Sequence, residues 1–196
     1  AVTHLLSLGQ RRIGFIGMPH HVTTGHERQE GYEKALAENG VQIDSRLIRH
    51  GKFKQEAGYQ QALDLLSLPE RERPTALFVA NNLMTLGALN AIHEKGLSIP
   101  DEVAIVGFDD MPWAVSLSPP LTAVAQPTYE LGKTAAEMLL ARIADPNRPP
   151  TQIRLPLELV VRESSGAGRR NFGAPSADTV QAMSEASREQ QKEVIA

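Results

Sequence analysis

Apolar and polar positions change rhythm several times along this chain. Ile13 to Ile16, Ala76 to Val79 and Val103 to Val106 are short, continuous apolar runs, as expected of strands buried on both faces. Between them lie stretches whose apolar positions recur at helical spacing. Glu27 to Asn39 carries Tyr32, Ala35 and Leu36, and ends at Asn39-Gly40. Gln55 to Leu68 carries Tyr59, Ala62, Leu63 and Leu66, with Pro69 beyond it. Leu83 to Lys95 stops at Gly96, and the opening Ala1 to Leu8 stops at Gly9. Leu47 and Ile48 mark a weaker strand. Strands alternating with helices of about a dozen residues predict βαβ units and an α/β fold with a doubly wound parallel sheet.

The later part is less regular. Leu121 to Ala125 reads as a short strand and Thr128 to Ala144 as a helix with Leu131, Ala135, Met138, Leu139 and Ile143 on one side. Asp145 to Pro150 is a turn. Ile153 to Val161 reads as a long strand, with Pro156 placing it at an edge or a bend. From Gly166 to Ala196 the composition turns to Ala, Ser, Gln and Glu, which predicts a disordered or weakly helical tail.

Composition narrows the function classes. The 196 residues are 41% hydrophobic, enough for one substantial core. The net charge of -3, with no long basic run, argues against a nucleic-acid surface on this segment. Cysteine is absent, which removes disulfides and thiol chemistry and fits a reducing, cytoplasmic setting. No apolar run reaches membrane-spanning length. The chain opens without Met on what reads as a helix already under way, as in a piece of a longer protein.

Open parallel sheets bind ligands at the carboxyl ends of their strands. Three segments follow the strands here: Gly17 to Gly25, Ala80-Asn81-Asn82, and Phe108-Asp109-Asp110. The adjacent acids could do acid–base work, hold a metal, grip a polar ligand or cap a turn. Neighbours at a strand end point apart, so a shared proton is disfavoured. Asn82, just before a helix, is as well explained by capping as by ligand binding. His20, His21 and His26 invite a metal reading, but they lack the H-E-x-x-H spacing and are better read as structural or solvent-facing. Neither a Gly-x-Gly-x-x-Gly fingerprint, a Walker A loop nor a Gly-x-Ser-x-Gly elbow occurs. No cofactor, metal or enzymatic activity is therefore expected.

Several segments in order, HLLSLGQRRIGFIG, RQEGYEKALAENG, ALFVANNLMTLGALNAIHEKGLSIPDEVAIVGFDD, SPPLTAVAQPTYELGKTAAEMLLARI and LPLELVVRESS, resemble the effector-binding core of LacI-type transcriptional regulators. That core is itself similar to periplasmic sugar-binding proteins. The resemblance implies a sensor, read as a repressor, that binds a sugar or sugar acid between two lobes. Operator DNA would be reached through an N-terminal headpiece that these residues do not include. A homodimer is implied, with Leu83, Leu86, Leu89 and Ala91 near a helix that could serve its interface. Residues 1–121 would form the C-terminal lobe, 122–155 the crossover and a helix of the N-terminal lobe, 156–165 a return strand, and 166–196 a tail.

Effector contacts carry over by position to Arg28, Phe53, Asn81, Asp109 and Gln126. Trp113 either lines the cleft or packs the connection between lobes, and a core role for Phe53 stays open. Where many relatives carry Asp, this chain has Asn82, which keeps capping ability but loses the charge. The rival reading is a periplasmic receptor feeding a transporter.

Overall fold

The computed structural model describes residues 1–19 and 21–168. Its sheet is built from β1 (Ile13–Gly17), β2 (Ile48–His50), β3 (Ala76–Val79), β4 (Ala104–Phe108), β5 (Thr122–Ala125) and β6 (Glu158–Val160). The spatial order is β2-β1-β3-β4-β5-β6; the first five strands are parallel and β6 is antiparallel. The helices are α1 (Val2–Ser7), α2 (Thr23–Glu38), α3 (Gln55–Leu66), α4 (Asn82–Glu94) and α5 (Thr128–Ala144).

Strand side chains alternate between two cores. Ile16, Leu77, Val79 and Ile105, with Leu121 just before β5, pack with Ala62, Leu65 and Leu66 of α3 and with Met84, Ala88, Ala91 and Ile92 of α4. Ile13, Phe15, Phe78, Val106, Phe108 and Val124 pack on the other face with Leu5 and Leu6 of α1 and Tyr32 and Leu36 of α2. The doubly wound sheet expected from the apolar runs is present. Fully burying residues such as Ile92 or Leu65 contributes about 1.5–3 kcal/mol each.

Glycines let α3 and α4 approach closely. A Cβ at Gly58 would collide with the Met84 backbone, and one at Gly87 with the Gln55 carbonyl oxygen. These clashes are with backbone, so no side-chain rotation relieves them.

Several boundaries differ from expectation, the helix expected from Glu27 starting at Thr23 among them, and two of the differences are set by strand pairing. The predicted strand over Ile153 to Val161 shrinks to Glu158–Val160. Among the described residues its only partner is β5, which ends at Ala125 opposite Glu158, so no strand there is left for residues 153–157 to pair with. The strand expected over Val103 to Val106 runs instead from Ala104 to Phe108, because β5 supplies ladder partners as far as Phe108↔Val124. Most of the predicted tail, residues 169–196, lies outside the described residues.

The segment after β6 is stitched into the sheet by buried polar groups. Ser164 Oγ donates to the Ile105 carbonyl (2.7 Å) and accepts from Thr122 N (2.8 Å). Thr122 Oγ1 donates to the Arg162 carbonyl (2.7 Å) and accepts from Arg162 N (2.8 Å). Ser165 Oγ shares a hydrogen bond of 2.9 Å with His4 Nε2, which anchors α1 to the same segment. No buried side-chain polar atom is left unpartnered among the described residues.

Candidate functional site

The strand order turns back on itself between β1 and β3, which opens a crevice at their carboxyl ends. Arg28, on the second turn of α2, reaches across this crevice. Its Nη1 donates to the Ala80 carbonyl just beyond β3 (2.6 Å), and its guanidinium carbon lies 3.5 Å from the centroid of the Phe108 ring at the end of β4. A guanidinium over an aromatic face is held by the ring's negative quadrupole. Burial pushes the Arg28 pKa below its ordinary value, and the Asp109 carboxylate works in the opposite direction. Among the described residues, one backbone bond and one ring contact fix the group while most of its donors remain uncommitted.

Asp109 follows Phe108. Its amide donates to the Val124 carbonyl (2.9 Å), which continues the β4–β5 ladder, and its φ is 71°. Gln126, just past β5, donates from Nε2 to Asp109 Oδ1 (2.5 Å). Arg28, Asp109 and Gln126 thus interact along the carboxyl ends of β3, β4 and β5, and Asn81 directly follows the Ala80 carbonyl that Arg28 holds.

Asn81 is the N-cap of α4, its Oδ1 accepting from Met84 N (3.1 Å). The cap, for which Asn82 is one candidate in the sequence, therefore sits one residue earlier, and Asn82 is the first helical residue. Asn82 Oδ1 accepts from Leu83 N (2.7 Å) instead. At Asn81 the oxygen is committed to the cap and the amide nitrogen is left as a donor.

Phe53 lies on the loop after β2, at the same edge of the sheet. It is half exposed and its φ is 49°. Among the described residues, Phe53 and Asp109 are the only non-glycine residues with positive φ. For a phenylalanine this conformation is costly, on the order of 1–3 kcal/mol, and such strain concentrates at binding sites. Phe53 does not belong to either buried core, which removes the alternative of a core phenylalanine. Trp113 is partly buried and packs against the core on the α3/α4 face, the one that holds Met84 and Leu121.

The second acid, Asp110, is committed elsewhere. Arg162 Nη1 and Nη2 donate to Asp110 Oδ1 and Oδ2 at 2.7 and 2.8 Å, and Nη1 also donates to the Leu121 carbonyl (2.6 Å). The bond to Asp110 holds the Arg162 pKa above its ordinary value. Asp109 and Asp110 therefore share no proton: one accepts from Gln126, the other closes a two-pronged ion pair. Two participants escaped the sequence reading, Phe108 as the ring beneath Arg28 and Arg162 as the partner of Asp110. Phe108 stood at a strand end, a usable signal. Arg162 is 52 residues from Asp110, and nothing local links them. Of the histidines, His20 lies outside the described residues. No group of three or more potential His, Asp or Glu ligands comes together among the described residues.

A one-sheet α/β lobe with a polar group at its topological crevice is the frame of a ligand-binding lobe. The chain belongs to the periplasmic binding protein-like domain family, whose model matches residues 2–165. Its relatives there are LacI-type regulators. The transcriptional repressor CytR of Escherichia coli is 36% identical over 167 residues, which cover 85% of this chain and 48% of that protein. A LacI-family regulatory protein from Chloroflexus aggregans is 36% identical with a TM-score of 0.76, covering 83% of this chain and 58% of that one. The transcriptional regulator CelR in complex with cellobiose is 36% identical with a TM-score of 0.78, covering 84% and 50%. The chain spans about half the length of the curated relatives it matches. No helix among the described residues is long and apolar enough to cross a membrane.

Proposed function

We propose that this chain is the effector-sensing core of a cytoplasmic, non-enzymatic, DNA-binding repressor, and that its effector is a small sugar-like molecule. The carrying observation is the coincidence of the two strained non-glycine residues, Phe53 and Asp109, with the edge where Arg28, Asn81 and Gln126 converge. In this reading the Arg28 fork and the Asp109 carboxylate bracket ligand hydroxyls, the Asn81 amide nitrogen and Gln126 add bonds, and Phe53 covers a C–H face. A relative solved with cellobiose supports the ligand class. Repressor relatives favour this function over that of a transport receptor.

In the same reading, residues 1–121 and 156–165 belong to one lobe, while α5, within the crossover 122–155, belongs to a second lobe that closes over the edge. Closure would bias the arrangement of a dimer and of operator-binding headpieces, with a coupling of about 1–3 kcal/mol. The helix α4, with Leu83 exposed and Leu86 and Leu89 partly buried, is the proposed dimer surface.

The test is calorimetry of the full-length protein against a panel of mono- and disaccharides that includes cellobiose, with Asp109→Asn as the variant. Asparagine tolerates the positive φ that alanine would resist, so the change isolates the charge. Affinity for the bound sugar should fall about tenfold or more, the worth of a hydrogen bond to a charged group. Unchanged affinity would sink the assignment.

A further inference from the structure

A second concavity lies at the opposite end of the sheet, where three loops enter β1, β2 and β3. It is lined by Arg11, Arg12, Asp44, Arg46, Arg71 and Glu72 and has a volume of about 480 Å³. Four guanidinium groups face two carboxylates there, a local surplus of two positive charges in a chain of net charge -3. Both carboxylates are already engaged. Arg46 Nη2 contacts Asp44 Oδ2 at 2.8 Å, and its Nη1 contacts Glu72 Oε2 at 2.7 Å. Asp44 Oδ1 also accepts from Arg46 N at 2.9 Å, which fixes this wall.

The other three arginines keep donors to spare. Arg12 is anchored through Nε to the Arg73 carbonyl (2.9 Å), leaving both Nη groups. Arg11 is anchored through Nη1 to the carbonyls of Leu6 and Gln10, both at 2.8 Å. Arg71 makes no hydrogen bond or ion pair among the described residues. Guanidinium forks with spare donors, two of them anchored and all lining one hollow, suit the tetrahedral oxygens of a phosphate. The two carboxylates on the wall disfavour an extended polyanion laid across it, whereas a compact anion can seat on Arg11, Arg12 and Arg71 alone.

We infer that this hollow is a binding site for a small phosphorylated anion, separate from the effector edge. The claim does not depend on the effector reading, since no residue is shared. The test is calorimetry of the full chain with inorganic phosphate, pyrophosphate, glucose 6-phosphate, glucose and sulfate. The variants are Arg12→Gln, Arg71→Gln and the two combined, with Arg154→Gln as an exposed control. Saturable binding of a phosphorylated probe is expected, weakened tenfold or more in the double variant, with unchanged circular dichroism and no response to Arg154→Gln. Tighter binding of glucose 6-phosphate than of inorganic phosphate would identify a phosphorylated metabolite as the source, and the reverse would identify free phosphate. Absence of saturable binding, equal affinity in the double variant, or sulfate binding as tightly as every phosphate would each overturn the inference.

Discussion

Helices α4 and α5 carry similar apolar patterns and have opposite fates. α4 buries Met84, Thr85, Gly87, Ala88, Ala91 and Ile92 between α3 and the sheet. α5 is four residues longer and buries none, leaving Leu139, Leu140 and Ile143 at 60, 65 and 67% exposure. An apolar stripe at helical spacing specifies which side of a helix wants a partner. It does not say that the partner is present. For α4 the partner is α3, admitted by Gly58 and Gly87. For α5 the partner, in the function proposed above, belongs to the second lobe.

The largest expected effect attacks the side that is packed. Gly87→Val drives a branched side chain into the α3 backbone at Gln55 and should cost about 3 kcal/mol or prevent folding, read as a shift in the urea midpoint. A midpoint within error of wild type would show that α3 and α4 are not in close contact. An intermediate effect is expected at the segment that returns after β6. Arg162→Met leaves Asp110, whose side chain is 21% exposed, without its partner and should cost about 2–3 kcal/mol. Adding Asp110→Asn should recover part of that loss, as a double-mutant cycle would report. The smallest effect should come from α5. Leu139→Ala should change the stability of this chain by less than about 0.5 kcal/mol. The same substitution should cost about 2 kcal/mol in a protein of the relatives' full length if, as proposed above, a second lobe covers the helix there. Equal costs in both would remove the distinction between the two helices.

Much of the fold was legible because its signals are local. ALFV is apolar on every position because β3 is sandwiched between two helical layers, and the structure returns Ala76–Val79 unchanged. Thr128–Ala144 is likewise returned with the same ends. Errors arose where an end depends on a distant neighbour. β6 is short because β5 runs out of partners, and β4 is long because β5 supplies them. The cap at Asn81 rather than Asn82 turns on where the backbone leaves the extended conformation, one residue's difference that composition does not mark.

The candidate site divides the same way. A rule about strand ends selected the segments that hold Asn81 and Asp109, and the family resemblance singled out those two residues and added Arg28, Phe53 and Gln126. Their joint geometry was not in the pattern. Arg28 lies over Phe108 because α2 and β4 pack on the same face, and Gln126 meets Asp109 because β5 lies beside β4 in parallel register.

Alone, the order of residues determined which segments are strands and helices, which faces are apolar and which polar groups end up at one edge. These follow from side-chain period, turn residues and strand polarity, all properties of neighbouring positions. Tertiary structure decided which acid accepts from Gln126 and which is spent on Arg162, which apolar helix is covered, and which arginines surround a hollow. Each of those depends on groups brought together from tens of residues apart, and only the packed chain sets their distances.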